Sequence, residues 1–146
     1  GALYIGGPDG FSTNELALSA TTFRGNRAAD GGAVYFGYWR REPPEFWEDL
    51  TFVDNDAAGN GGAVWSRWQQ VFYGQDPISI SRSLLEHNTA HSGGAISGVF
   101  IRVYDSTFRR NIADADGGAI HAVASRNARP DRVIYPPFIA VYRSTF

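Results

Sequence analysis

One phrase recurs four times along the chain and constrains its fold more than any local propensity does. In each copy an apolar residue is followed by Asn three residues later and by Ala five residues later, and a Gly-Gly-Ala-Val or Gly-Gly-Ala-Ile run comes shortly afterwards. The apolar residues are Phe23, Phe52, Leu85 and Phe108, and the runs begin at Gly31, Gly61, Gly93 and Gly117. Self-similarity at a period of a few tens of residues is typical of solenoids, whose stacked units bury one continuous core.

The residues before each Phe position alternate between apolar and polar. The apolar pairs lie seven and five residues upstream, and they are Leu16 and Leu18, Ile78 and Ile80, Ile101 and Val103, and Ile139 and Val141. A period of two predicts a β-strand with one buried face, and β-branched residues favour such a strand. A second strand is predicted after each Gly-Gly pair. The second copy departs from the pattern, because Glu45 and Trp47 replace the aliphatic pair.

Equivalent residues of stacked coils are expected to form columns. The turn between the two strands contains an Asn, a residue that tolerates left-handed backbone and bonds neighbouring backbone groups. We predict a hydrogen-bonded ladder of side-chain amides made of Asn26, Asn55, Asn88 and Asn111. We predict an interior apolar column made of Phe23, Phe52, Leu85, Phe108 and Phe146, and another made of Val34, Val64, Ile96 and Ile120.

The spacing of the Phe positions predicts the size of the coils. Successive positions are 29, 33, 23 and 38 residues apart, so the shortest spacing sets the minimal coil and the others carry insertions. All seven prolines fall in the insertions, as expected of residues that cannot donate to a β-ladder. The sequence predicts one all-β domain over residues 1–146, a right-handed parallel β-helix of about five short coils with loop insertions.

The alternation of Phe-x-x-Asn with Gly-Gly-Ala-Val or Gly-Gly-Ala-Ile resembles the repeat of the chlamydial polymorphic membrane proteins. It is also similar to repeats in the wider group of bacterial right-handed parallel β-helix proteins. The resemblance extends from about Leu16 to Ile120, with partial units at each end. It implies a secreted or surface-displayed passenger, often adhesive, whose motif residues are structural. An extracellular or cell-surface location is therefore expected.

Composition excludes several other classes of protein. The net charge is −2, which gives no basic field for nucleic acid, and no apolar run approaches the length of a membrane span. Cysteine is absent, so neither a disulfide framework nor a thiolate metal site can form. Lysine is absent as well, which removes lysine-based catalysis. We expect no cofactor.

Two groups of residues are candidate metal ligands. His87 and His91 are four residues apart, a spacing that suits a metal on a helix but not around a turn. Asp30, Asp114 and Asp116 cluster near equivalent turns, where carboxylates can attract calcium, yet the nonapeptide calcium repeat of other β-helices is absent. Solvated turn residues are the favoured interpretation of both groups, so no metal site is predicted.

Parallel β-helices include enzymes that cleave acidic polysaccharides, so a catalytic function is an alternative. The acids Glu42, Glu45, Glu48 and Asp49 lie in one insertion, beside the basic residues Arg40 and Arg41. Such enzymes need an acid–base pair, and nothing in the next coil completes one. The sequence therefore predicts a charged loop and a protein that is not an enzyme.

Large aromatic residues concentrate near two neighbouring insertions. Aligning the Gly-Gly-Ala runs puts Tyr35 beside Trp65, and Phe46 and Phe72 lie nearby. The rings either pack onto the prism or form an exposed contact surface for a glycan or a partner subunit. That surface would comprise Trp39, Trp47, Trp65, Trp68 and Tyr73.

Both ends of the sequence fall inside a repeat. Residues 1–6 resemble residues 32–37, and Phe146 precedes the position where the next Asn turn is expected. Solenoids normally finish with polar caps, so we expect a longer parent array, caps elsewhere, or end-to-end stacking of copies into a filament. The candidate end contacts are Leu3, Tyr4, Tyr142 and Phe146. The leading hypothesis is a structural or adhesive extracellular protein that associates with itself; a glycan-binding or glycan-cleaving β-helix is the alternative.

Overall fold

The computed structural model describes residues 1–5, 17–37, 46–66, 78–123 and 138–146, which form four sheets. Sheet 1 comprises Leu3–Ile5, Val34–Phe36, Val64–Ser66, Ile96–Gly98 and Ile120–Ala122. Sheet 2 comprises Leu18–Ser19, Phe46–Glu48, Ile78–Ser81, Phe100–Tyr104 and Phe138–Tyr142. Sheet 3 comprises Thr22–Arg24, Thr51–Val53, Leu84–Glu86 and Thr107–Arg109. Sheet 4 comprises Arg27–Ala28, Asp56–Ala57, Thr89–Ala90 and Ile112–Ala113.

Each coil passes through sheets 2, 3, 4 and 1 in turn, and every strand pairs in parallel with its equivalent in the next coil. The register keeps equivalent residues side by side: Phe52 pairs with Phe23 on one side and Leu85 on the other. The all-β parallel β-helix of about five coils that the repeat predicts is therefore confirmed. The right-handed winding stays a prediction, made from the general preference for right-handed crossovers between parallel strands.

Three corners of each coil turn through one residue in the left-handed region, where φ lies between 46° and 65°. At the corner from sheet 2 to sheet 3 these residues are Ala20, Asp49, Arg82, Asp105 and Arg143. At the corner from sheet 3 to sheet 4 they are Gly25, Asp54, His87 and Arg110. At the corner from sheet 4 to sheet 1 they are Gly31, Gly61, Gly93 and Gly117. The left-handed residue at the second corner is thus the one before the Asn, not the Asn itself.

The fourth corner, from sheet 1 to sheet 2, is the place where the length of the chain varies. Its shortest form is Val99 alone, between Ile96–Gly98 and Phe100–Tyr104. All the insertions that the sequence predicts fall between a sheet 1 strand and the next sheet 2 strand. The rungs themselves keep a nearly constant length.

The core lies inside the prism, between the inward-facing residues of sheets 1, 2 and 3. Its fully buried side chains include Val34, Val64, Ile96, Phe52, Leu85, Phe108, Ile80, Ile101 and Val103. Burying an aliphatic or aromatic side chain of this size stabilises the fold by about 1.5–3 kcal/mol. Within the described residues, no helix is long and apolar enough to cross a membrane.

Candidate functional site

The four Asn residues of the repeat form one column of linked side chains. The Asn26 Nδ2 group donates to Asn55 Oδ1 at 2.9 Å, and the Asn55 and Asn88 Nδ2 groups each donate to the next Oδ1 at the same distance. Each accepting Oδ1 also takes the backbone N–H of the preceding Asn, at 3.0–3.1 Å. The Nδ2 groups of Asn55, Asn88 and Asn111 donate in addition to a carbonyl of the preceding coil. These amides satisfy buried backbone groups and are committed to the fold.

The apolar column beside the ladder is interior over most of its length. Phe52, Leu85 and Phe108 are almost completely buried, and Phe23 is nearly so. The rings of Phe23 and Phe52 stack at 5.0 Å with 7° between their planes. Phe146 stacks on Phe108 at 4.8 Å but is 63% exposed, because it lies at the outer rung.

A second polar ladder, which the sequence analysis did not identify, follows the corner from sheet 2 to sheet 3. The Oγ of Ser83 accepts the backbone N–H of Leu50 at 3.0 Å, and that of Ser106 accepts the N–H of Ser83 at 3.1 Å. Ser144 Oγ continues the pattern to Ser106. Each hydroxyl in turn donates to the carbonyl two residues earlier, at 2.7–2.9 Å. The sequence feature that indicates this ladder is the Ser or Thr that lies two residues before most Phe positions.

Charged residues alternate in sign down the outside of the same corner. Arg82 donates to Asp49 through Nε and Nη2, both at 2.9 Å, and to Glu48 Oε2 at 2.7 Å. Arg143 binds both carboxylate oxygens of Asp105, at 2.6 and 2.8 Å. Hydrogen bonds from these arginines lower the pKa of Asp49 and of Asp105 and raise the pKa of each arginine. A carboxylate held ionised in this way is unsuited to donate a proton.

The candidate catalytic acids fall into two groups, those that the structure describes and those that it does not. Glu48 and Asp49 are both held by Arg82, and the cavity lined by Asp49 and Arg82 also contains Asp105, which is paired with Arg143. Glu42, Glu45, Arg40 and Arg41 lie outside the described residues.

The candidate metal ligands do not come together. His87 lies 3.8 Å from Asp54 and 3.4 Å from Arg110, whereas His91 is exposed in the next turn. Asp30 Oδ1 accepts the backbone N–H and Nδ2 of Asn60, at 2.8 and 3.0 Å. Asp114 and Asp116 are exposed. In the part of the chain that the structure describes, no group of three or more acidic or His residues is placed to hold a metal ion.

The residues of the predicted aromatic contact surface do not lie together on one exposed face among the described residues. Trp47 has no exposed area and lies in the core, so its assignment to that surface is wrong; it occupies the inward position of sheet 2, paired with Leu18 and Ile80. Trp65 is half-buried on the outward side of sheet 1. Trp39, Trp68 and Tyr73 lie outside the described residues.

Outward-facing rings stack along sheet 1. Tyr4 and Tyr35 are 5.0 Å apart with 20° between their planes, and Trp65 follows at 4.8 Å with a tilt of 54°. Because successive rings cover one another, they present mainly edges to solvent. Tyr4, at the end of this column and 66% exposed, presents a ring face on which a sugar could stack.

The residues named as end contacts lie on outer rungs. Leu3 is partly buried, and Tyr4 is exposed on the first strand of sheet 1. Tyr142 is exposed on the last strand of sheet 2, where its ring stacks on that of Tyr104 at 5.0 Å. Thr145 forms a parallel bridge with Thr107, which extends sheet 3 by one rung next to Phe146.

Three segments of the chain, residues 20–37, 49–67 and 105–123, match the model of the Chlamydia polymorphic membrane protein repeat. The chain carries this repeat. Each matched segment begins at a left-handed residue of the first corner and ends just after a strand of sheet 1. The copy that contains Leu85 lies outside the matched segments, yet it pairs in register with the coils on both sides. No curated protein and no solved structure is similar enough to this chain to count as a match.

Proposed function

We propose that the chain is a non-enzymatic structural and adhesive stack displayed outside the cell. The observation that carries the proposal is that the repeated residues hold neighbouring coils together: the Asn amides, the Phe rings and the second glycines of the first three pairs all contact the next coil. The polymorphic membrane protein repeat supports a place at the cell surface, because that family is associated with the outer membrane. The outward-facing side chains and the insertions are then the parts of the chain that contact partners.

An adhesion assay tests this proposal. Beads coated with the chain are expected to bind cultured mammalian cells more strongly than albumin-coated beads do. A matched control uses the same chain denatured before it is coupled to the beads, which has the same composition without the stack. Soluble polysaccharides added as competitors distinguish a glycan partner from a protein partner. Cell binding no greater than that of albumin would contradict the proposal.

Self-association is a second candidate, favoured by the last strand of sheet 2. The side chains of Phe138, Ile139, Val141 and Tyr142 are between 37% and 49% exposed on this open edge. An apolar edge strand with unpaired backbone groups can take another strand in register. We propose that a second copy supplies that strand; a further repeat of the same polypeptide is the other occupant of the edge.

Sedimentation velocity is expected to show larger oligomers as the protein concentration rises. Val141→Asp should abolish them, while His87→Asn, a change on the side of the prism, should not. A chain that stays monomeric throughout would exclude this candidate.

A further inference from the structure

A groove crosses three coils on the outside of the corner between sheets 2 and 3. Its floor is made of Thr51, Leu84 and Thr107, which occupy the same position in successive strands of sheet 3 and are partly buried. Charged corner residues line one side, and Arg109, two residues beyond Thr107 on the same strand, lines the other. The cavity has a volume of about 570 Å³, and we call it the corner groove.

The stacking of coils sets the length of the corner groove. The corner residues that line it are Asp49, Arg82 and Asp105, one from each coil. Neighbouring parallel strands lie about 4.8 Å apart, so the two aspartates are separated by roughly 9.6 Å. A straight groove of this length and volume accommodates a short segment of an extended polymer.

The carboxylates that line the corner groove are already bound by arginines. Arg82 donates to both carboxylate oxygens of Asp49, at 2.9 Å each. Arg143 donates to both carboxylate oxygens of Asp105, at 2.6 and 2.8 Å. A cationic ligand would therefore have to displace an arginine from its carboxylate.

The balance of charge disfavours an anionic ligand as well. Arg82 also binds Glu48, and Arg109 binds Glu86 at 2.9 Å. Four carboxylates in and around the groove thus face three guanidinium groups, which leaves a local charge of −1. The whole chain carries a net charge of −2. A ligand without charge is therefore the one that this groove favours.

The corner groove keeps both donors and acceptors for such a ligand. Among the described residues, Arg82 Nη1 and the hydroxyls of Thr51 and Thr107 make no hydrogen bond. The bound oxygens of Asp49 can each accept one bond more, because a carboxylate has about four lone-pair sites. Leu84 gives the middle of the floor an apolar surface. Hydroxyl groups, which donate and accept at once, match this mixture.

We propose that the corner groove binds a segment of an uncharged, extended polysaccharide. Sugar hydroxyls bond Arg82 Nη1 and the two threonine hydroxyls, and the apolar face of one sugar ring lies on Leu84. A peptide is less suited, because the strands beneath the groove are already paired with neighbouring coils and offer no free edge. The proposal rests on the adhesive function proposed above and names a class of partner for it.

The corner groove is suited to hold a glycan and not to cleave it. Glycoside hydrolysis by paired carboxyl groups needs one of them protonated, so that it can donate to the leaving oxygen. Hydrogen bonds from Arg82 and Arg143 lower the pKa of Asp49 and of Asp105, so both carboxyls are ionised at neutral pH. A bound glycan should therefore be recovered intact.

The test uses the whole chain and three tetrasaccharides. Cellotetraose and chitotetraose are extended and uncharged, and tetragalacturonate is an anionic chain of the same length. Binding is followed by the chemical shifts of the Leu84 and Thr107 backbone amides. At least one uncharged probe should bind with a Kd on the order of 1 mM. Tetragalacturonate should bind at least about tenfold more weakly, because it meets like charge.

Three variants assign the binding to the corner groove. Leu84→Trp fills the floor and should abolish binding. Ile112→Trp places the same ring on an exposed strand of sheet 4, outside the groove, and should leave binding unchanged. Thr107→Val keeps the shape of the floor but removes a hydroxyl, so binding should weaken about three- to tenfold.

Three results would overturn the proposal. They are no shift with either uncharged probe at about 20 mM, far above the expected Kd, equal or tighter binding of tetragalacturonate, and unchanged binding in both Leu84→Trp and Thr107→Val. Coated beads that bind cells while no tetrasaccharide binds would refute the corner groove and leave the adhesive function standing. Tetrasaccharide binding without cell binding would refute adhesion alone.

Discussion

Asn55 offers the sharpest test of how the stack is held together. Its side chain takes part in four hydrogen bonds: Oδ1 accepts the backbone N–H and Nδ2 of Asn26, and Nδ2 donates to the Phe23 carbonyl and to Asn88 Oδ1. Asn55 is fully buried. In Asn55→Ala, water cannot readily replace these bonds.

The expected cost follows from the groups that are left without partners. Asn88 Oδ1 keeps the backbone N–H of residue 55, but the Phe23 carbonyl and the Asn26 N–H lose this partner. A buried polar group without a partner costs about 1–3 kcal/mol, so Asn55→Ala should lower the free energy of unfolding by about 2–4 kcal/mol. For a chain of this size that is a fall in Tm of about 5–15 °C.

Asn26→Ala is the matched control, because Asn26 is the first member of the ladder. The variant loses the hydrogen bond from Asn26 Nδ2 to Asn55 Oδ1, while the backbone N–H of residue 26 still donates to Asn55 Oδ1. The expected loss is about 0.5–1.5 kcal/mol. Urea unfolding followed by circular dichroism measures both variants. If Asn55→Ala melts no lower than Asn26→Ala, the ladder does not carry the stability assigned to it.

Three further perturbations address the other columns. Gly62→Ala would drive a methyl group into backbone carbonyls of the next coil and should cost at least about 3 kcal/mol, whereas Gly118→Ala, with open space around it, should change Tm little; equal Tm values would contradict the predicted contact. Ser83→Ala should lower stability in urea by about 1–3 kcal/mol, because a buried backbone N–H loses its acceptor; unchanged unfolding would argue against the Ser ladder. Arg143 lowers the pKa of Asp105, so the stabilisation from this pair is present above the carboxyl's ordinary pKa and is lost as pH falls through the lowered value. Asp105→Asn should therefore melt below the natural chain at neutral pH and together with it at about pH 2, and a difference that persists in acid would contradict this origin.

The sequence predicts those parts of the fold that recur with the same chemistry in every coil. The Asn and Gly-Gly positions recur without exception, and the apolar pairs with few exceptions, so the rungs and their register follow from the repeat alone. The left-handed residues before the Asn could not be predicted in this way. Gly25, Asp54, His87 and Arg110 share a backbone conformation but no chemistry, because neighbouring coils impose the turn on whatever residue is there.

One difference at the candidate surfaces has a clear physical cause. Trp47 belongs to an aromatic cluster near an insertion, which favours an exposed position. Yet it lies five residues before Phe52, the spacing of the inward position in every other coil, and that spacing predicts the buried side chain that the structure shows.

The difference between the four corners determines where this molecule can change. Three corners turn through a left-handed residue and join strands separated by two to six residues. The first two corners have the same length in every coil, and the third is five residues long in two coils and six in the other two without a change of register. The fourth corner joins its strands through a single residue at Val99 and through far longer segments elsewhere, with no change in the register of the coils it connects. New sequence can therefore be acquired along one edge of the prism at little cost to stability. The sequence of that edge can therefore differ widely between related chains while the ladders inside stay the same.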